Sequence, residues 1–198
     1  MIKNREYSFF VLTIIIFILI FSNSAIAQIK TGILAPDFSL SAPDGEIYQL
    51  SNFNNKQDHL FLCFAKEKDA DSFNNIDKLI AFLTDYQPRE SYQIITLIET
   101  EGTSDETLAQ YLSWQEKTEI PFLVLLDKGG KTAENYNFTE NSAILILRAD
   151  LHIRRIYDRF TSRQEDNLYQ YLTFIFTPQT SNGGSGCDEG VCPPPPGY

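Results

Sequence analysis

Along residues 60–65 the chain reads Leu-Phe-Leu-Cys-Phe-Ala, an apolar run of strand length that does not alternate. A strand of that kind is buried on both faces, so it is expected at the centre of a sheet. Six mostly charged residues, Lys66 to Asp71, follow it, and from Ser72 the apolar positions change to helical spacing: Phe73, Ile76, Leu79, Ile80 and Leu83, with Asp71 or Ser72 placed to cap the first turn. Strand, short polar loop, helix is the arrangement in which open α/β sheets carry their chemistry. Tyr92 to Ile98 gives a second apolar strand. Thr103 with Glu106 has capping-box spacing ahead of a helix marked by Leu108, Tyr111, Leu112 and Gln115. Pro121 opens a third strand, Phe122 to Leu126, closed by Asp127-Lys128-Gly129-Gly130 and followed by the short segment Lys131 to Tyr136.

Hairpins flank this βαβαβ centre. Phe38 to Leu40 and Ile47 to Leu50 enclose the turn residues Pro43-Asp44-Gly45, and residues 143–147 and 152–157 enclose Arg148-Ala149-Asp150. Ser162 with Glu165 repeats the capping-box spacing before a last helix striped by Leu168, Tyr171, Leu172 and Ile175. The pattern predicts an α/β fold, a mixed central sheet flanked by helices with an N-terminal β-hairpin extension. Phe38, Leu62, Phe64, Phe73, Ile76, Leu97, Val124, Leu145 and Ile156 are expected to share one core.

The two ends of the chain have a different character. Lys3 and Arg5 precede an apolar stretch from Phe9 to Phe21, and Ala25-Ile26-Ala27 ends it with small residues, which reads as a signal peptide over 1–27 with cleavage after Ala27. About 13 apolar residues fall short of the roughly 20 that a spanning helix needs, so no stable membrane span is expected after cleavage. The mature domain is then 28–177, exported to the periplasm or secreted. Residues 178–198 form a tail of Gly, Ser, Cys and Pro with little to bury, expected to be disordered. A formal charge of −10 in 198 residues excludes the counterion-displacing surface of a nucleic-acid binder. Its acids are scattered, as on a solvated surface.

The order of elements, together with Gly32, Ala35-Pro36-Asp37-Phe38-Ser39-Leu40, Asp44-Gly45, Leu50-Ser51, the strand from Leu60, and Pro121 through Asp127-Lys128-Gly129-Gly130-Lys131 to Ala133 and Tyr136, resembles the thioredoxin-like superfamily in its peroxiredoxin or AhpC/TSA (redoxin) variety. The resemblance covers roughly residues 31–176. It implies thiol chemistry at the loop after the central strand, yet the cysteines do not carry over. A thioredoxin-type pair would fall at Asp69 and Ser72, and a peroxiredoxin's attacking cysteine near Phe73. The segment that such families place beside the active cysteine reads Asn141-Ser142-Ala143, with neither proline nor arginine.

Cys63, inside the apolar strand, reads as a small hydrophobe. Cys187 and Cys192 are expected to close a small ring in an oxidising compartment and are the candidate redox pair. No cofactor and no metal site are expected, because the tail thiols lack the histidines or second cysteine pair of a closed zinc centre. His59 and His152 read as strand-edge residues. Lys66, Glu67, Lys68 and Asp69 read as a loop of mutually compensating charges, and they occupy the functional mouth of the fold and so are the candidate binding residues.

Two functions follow from the sequence. One is an exported redoxin-like protein, degenerate at the usual site, that binds a protein partner. The other is an extracytoplasmic thiol-disulfide oxidoreductase or peroxiredoxin-like antioxidant protein, in which Cys187 and Cys192 act on a thiol or disulfide substrate. Release of the tail as a peptide after Gly183-Gly184 is a third reading.

Overall fold

A computed structural model describes residues 29–85, 91–138, 142–157 and 162–177. Seven strands and four helices follow one another as β1 (Ser39–Ser41), β2 (Ile47–Gln49), a single 3-10 turn (Leu50–Phe53), β3 (His59–Lys66), α1 (Ala70–Thr84), β4 (Tyr92–Thr100), α2 (Asp105–Lys117), β5 (Phe122–Lys128), α3 (Lys131–Asn135), β6 (Ala143–Arg148), β7 (Ile153–Tyr157) and α4 (Ser162–Phe176). The strands make one sheet in the order β2-β1-β5-β4-β3-β6-β7. β3, β4 and β5 run parallel, and every other pairing is antiparallel. The non-alternating strand is interior, with β4 on one side and β6 on the other, and six of its eight residues are buried.

Because side chains alternate along a strand, a strand buried on both faces feeds two cores, not one. Phe61, Cys63 and Ala65 point into a layer with Ile76, Leu79 and Leu83 of α1, Tyr111 of α2, and Leu168 and Leu172 of α4. Leu60, Leu62 and Phe64 point the other way, toward Ala35, Phe38, Ala133, Tyr136 and Phe138. The expected single core is therefore corrected. Phe73, Ile76 and Val124 belong to the first layer, and Phe38, Leu62, Phe64, Leu97, Leu145 and Ile156 to the second. Full burial of a leucine, isoleucine, valine or phenylalanine contributes roughly 1.5–3 kcal/mol, and such side chains, with tyrosine and alanine, make up nearly all of both layers.

The helix starts also differ from the sequence expectation. α1 is capped by Asp69, not by Asp71 or Ser72, and α2 by Ser104, whose hydroxyl accepts from the backbone N–H of Thr107, not by Thr103. In each case an extended residue that precedes the helix takes the cap, and the side chains within the helix do not.

Two devices hold the second layer. The carboxylate of Asp127, almost fully buried, accepts from the backbone N–H groups of Thr132 (3.1 Å) and Ala133 (2.8 Å), supplying the caps that Gly130, which precedes α3, cannot. Gly130 has a positive φ of 67°, which favours glycine, and a Cβ there would meet the Glu99 carboxylate at 2.9 Å and push that side chain aside. The N-terminal segment acts as a strap across the sheet. Gly32 and Ala35 donate to the carbonyls of Ile153 and Leu151 at one side, while Ser41 pairs with Leu126 at the other.

Candidate functional site

The parallel strands deliver their carboxyl ends to one edge of the sheet, where Lys66 stands in register with Glu99, and Thr100 with Lys128. That edge is where ligands of parallel α/β sheets gather. β3 leaves it through Glu67 and Lys68, and Asp69 then turns the chain into α1. Asp69 is extended (φ −107°, ψ 96°) and half-buried. One carboxylate oxygen accepts from the Asp71 N–H at 3.1 Å, and the other accepts the Ser72 hydroxyl at 2.5 Å. Ser72 is fully buried. With its proton held on a carboxylate and no route to solvent, that hydroxyl ties down the first helical turn and cannot serve as an accessible nucleophile.

Charges in the loop compensate those of the neighbouring loop rather than one another. Lys66 pairs with Glu99 at 3.6 Å and Lys68 with Glu101 at 3.8 Å, the second pair almost fully exposed. Glu67 turns inward: its carboxylate accepts from Thr100 Oγ1 at 3.0 Å and from the Tyr111 hydroxyl at 3.5 Å. Burial, then the charge and hydrogen bond of Glu67, push the Tyr111 phenol up to about 12. Thr100 in turn accepts the Gly102 N–H and shares a hydrogen bond with Thr103. Glu67 is thus the residue that fastens the β3 loop to the β4 loop and to α2.

Beside this network, α1 and α2 leave an open cleft of about 500 Å³. Phe73, Tyr111 and Trp114 supply its aromatic surface, Glu67 and Asp77 its carboxylates, with Thr107 and Gln110 completing it. The Phe73 and Tyr111 rings lie nearly parallel (13°) with centroids 6.3 Å apart, and Trp114 leans on Phe73 at 5.6 Å and on Phe122 at 4.7 Å. The Trp114 indole donates to Asp77 at 3.0 Å.

Of the candidate residues, Lys66, Glu67, Lys68, Asp69, Ser72 and Phe73 all stand at this edge. Cys187, Cys192 and Asn141 lie outside the described residues. Ala143 is buried and pairs with Phe64, which brings the loop before β6 to the same end of β3. Cys63 is fully buried one residue deeper, in register with Thr96. Burial pushes its thiol well above the ordinary range, only partly opposed by the Thr96 hydroxyl. His59 sits at the far end of β3, some 20 Å away at about 3.3 Å per residue, against the ring of Phe176. His152 lies 3.3 Å from Asp150 in the β6–β7 turn. Among the described residues no three metal-ligating side chains come together, and no helix is long and apolar enough to cross a membrane.

Asp77, Trp114 and the cleft were not marked by the sequence pattern. Trp114, the single tryptophan of the chain, was the available signal, since an aromatic outside the buried stripe of its helix has a reason to be elsewhere.

The family model for the AhpC/TSA family matches residues 31–157. Solved structures of similar fold include a thiol:disulfide interchange protein from Bacteroides sp. (TM-score 0.59, 15% identity, 77% of this chain and 94% of that one). The thioredoxin domain of a thiol-disulfide oxidoreductase from Bacteroides vulgatus (0.57, 15%, 76% and 100%) and a thiol peroxidase from Chromobacterium violaceum (0.55, 15%, 73% and 88%) are also similar. At such identities the likeness is one of fold. No curated protein sequence matches significantly.

Proposed function

Because the chain belongs to the AhpC/TSA family and has a thioredoxin-like fold, we propose that it is an exported redoxin-like domain that holds a protein partner at the carboxyl edge of β3 and has no thiolate of its own there. The observation that carries this reading is the pair Asp69 and Ser72, a carboxylate and a buried hydroxyl bonded to each other at the start of α1. Reduction of a peroxide or disulfide requires a thiolate that attacks oxygen or sulfur and is itself oxidised in the step. Neither Asp69 nor Ser72 can be oxidised in that way, and Cys63, the described cysteine, is buried with its thiol protonated. The signal peptide 1–27, the mature domain 28–177 and the tail 178–198 belong to the same proposal.

Peroxide consumption and insulin reduction by the full chain, with and without Cys187→Ser and Cys192→Ser, test it. No turnover in either protein is expected. Turnover that disappears with the two serines would replace this reading with the tail dithiol, and turnover that survives them would point to Cys63. N-terminal sequencing of the mature protein should begin at or near Gln28, and Met1 retained there would exclude cleavage.

A further inference from the structure

The cleft between α1 and α2 has an unbalanced composition. Two carboxylates meet three aromatic rings, and among the described residues no cation pairs with either acid: the lysines nearby in sequence, Lys66, Lys68 and Lys78, pair with Glu99, Glu101 and Glu165. Both acids are instead held by neutral donors, Glu67 by Thr100 and Tyr111, and Asp77 by the Trp114 indole. Such donors fix a carboxylate in position and leave its charge in place. Aromatic faces beside fixed negative charge attract a cation twice, through the ring quadrupole and through the carboxylates.

We propose that this cleft binds an arginine side chain of the partner polypeptide, the flat guanidinium lying against the Phe73, Tyr111 and Trp114 surface with its N–H groups directed to Glu67 and Asp77. The inference rests on the partner-binding reading above and names the chemistry the partner presents. A guanidinium suits the site better than an ammonium, because it is planar enough to stack on a ring and carries five donors for two separated acceptors. A bare metal ion suits it poorly, since no third ligating side chain joins the two acids among the described residues. The chain's own tail is disfavoured by charge: residues 178–198 contain Asp188 and Glu189 and neither lysine nor arginine.

Trp114, as the single tryptophan, reports on the cleft alone. The experiment titrates the full chain with a blocked Gly-Arg-Gly-Arg-Gly peptide while following tryptophan emission, against the same peptide with neutral citrulline for arginine. A saturable change with the arginine peptide is expected, weakened about tenfold or more by citrulline, by Asp77→Asn and by Glu67→Gln, a loss of at least ~1.4 kcal/mol each. Asp77 is exposed, so its asparagine variant tests the site without threatening the fold. The paired changes Asp58→Asn and Glu134→Gln, on exposed acids elsewhere, should leave binding within about twofold, as screening of distant surface charges requires. No saturable change, equal binding of the citrulline peptide, or an equal loss in the Asp58 and Glu134 variant would overturn the proposal. A peptide of residues 187–198 that produces the same change would overturn it as well. Each of these outcomes leaves the absence of turnover standing, whereas turnover in the Cys187→Ser, Cys192→Ser protein would remove the partner-binding reading whatever the peptide does.

Discussion

The Ser72 hydroxyl donates to the Asp69 carboxylate across the first turn of α1, and the same carboxylate accepts from the Asp71 N–H. Asp69 therefore satisfies a backbone donor and a buried hydroxyl together. Asp69→Ala should destabilise the domain by about 1–2 kcal/mol, the upper half of the range for a lost N-cap, because it also strands Ser72. Asp69→Asn should restore most of that loss. Urea denaturation of the three proteins decides it, and an alanine variant as stable as the parent would show that the cap contributes nothing.

Tyr111 should respond to its neighbour. Burial is the largest single cause of its raised pKa, followed by the charge and then the hydrogen bond of Glu67, so Glu67→Gln should lower the phenol from about 12 while burial keeps it above the ordinary 10.0. Tyrosine ring resonances followed between pH 9 and 13 and assigned with Tyr111→Phe give the two midpoints. An unchanged midpoint would mean that Glu67 does not reach the phenol.

His59 predicts a loss of stability in acid. Burial, with the charge of Arg154 as a lesser cause, lowers it from 6.5 to about 4. Between those values the unfolded chain binds a proton that the folded one refuses. Its contribution is therefore complete above pH 6.5, falls as the pH drops toward 4, and is level below that. The difference is on the order of 3 kcal/mol. The carboxylates titrate in the same window, so the quantity to measure is the difference between parent and His59→Gln from pH 7 to 4. Parallel curves would refute the shift.

Cys63 should be chemically silent. With Cys187 and Cys192 changed to serine, the folded protein should react with a thiol reagent only as fast as it opens, on the order of 10³-fold or more slower than the denatured chain. Rapid modification under native conditions would show that the thiol is accessible and would reopen the question of its role.

The centre of this fold was readable because its signals are local. The unbroken apolar run at 60–65 marked an interior strand, and the stripe through Ile76, Leu79 and Leu83 marked the buried face of α1. Division of the core into two layers was equally implicit, since Leu62 and Cys63 must face opposite ways, yet assigning Val124 and Leu145 to their sides requires the strand order. The caps were missed by one to three residues because Asp69, Asp71 and Ser72, or Thr103 and Ser104, are all suitable cap residues, and only the backbone angles distinguish them. At the site, Asp69, Ser72 and Phe73 stand in the sequence where the resemblance would place cysteine. The pairings of Glu67 with Thr100 and Tyr111, and of Asp77 with Trp114, were not legible there, because those contacts depend on parallel strand pairing and on helices that meet across it.

The strap that ties residues 32–35 to Leu151 and Ile153, and Ser41 to Leu126, joins parts of the chain that are far apart in sequence. The anchorage at Ser41 waits for β5, and that of residues 32–35 waits for the β6–β7 hairpin, so residues 32–35 are among the last that can find their partners. The polypeptide must be complete through Ile153 before residues 32–35 can settle. Closing so long a loop is slow compared with forming the local βαβ units. In pulsed hydrogen exchange during refolding, the Gly32 and Ala35 amides are expected to gain protection after those of β3 and β4, and simultaneous protection would show that the order of closure is different. Until then the layer around Phe38 and Phe64 stands open, and a chain lacking residues 29–41 would be left permanently at that stage.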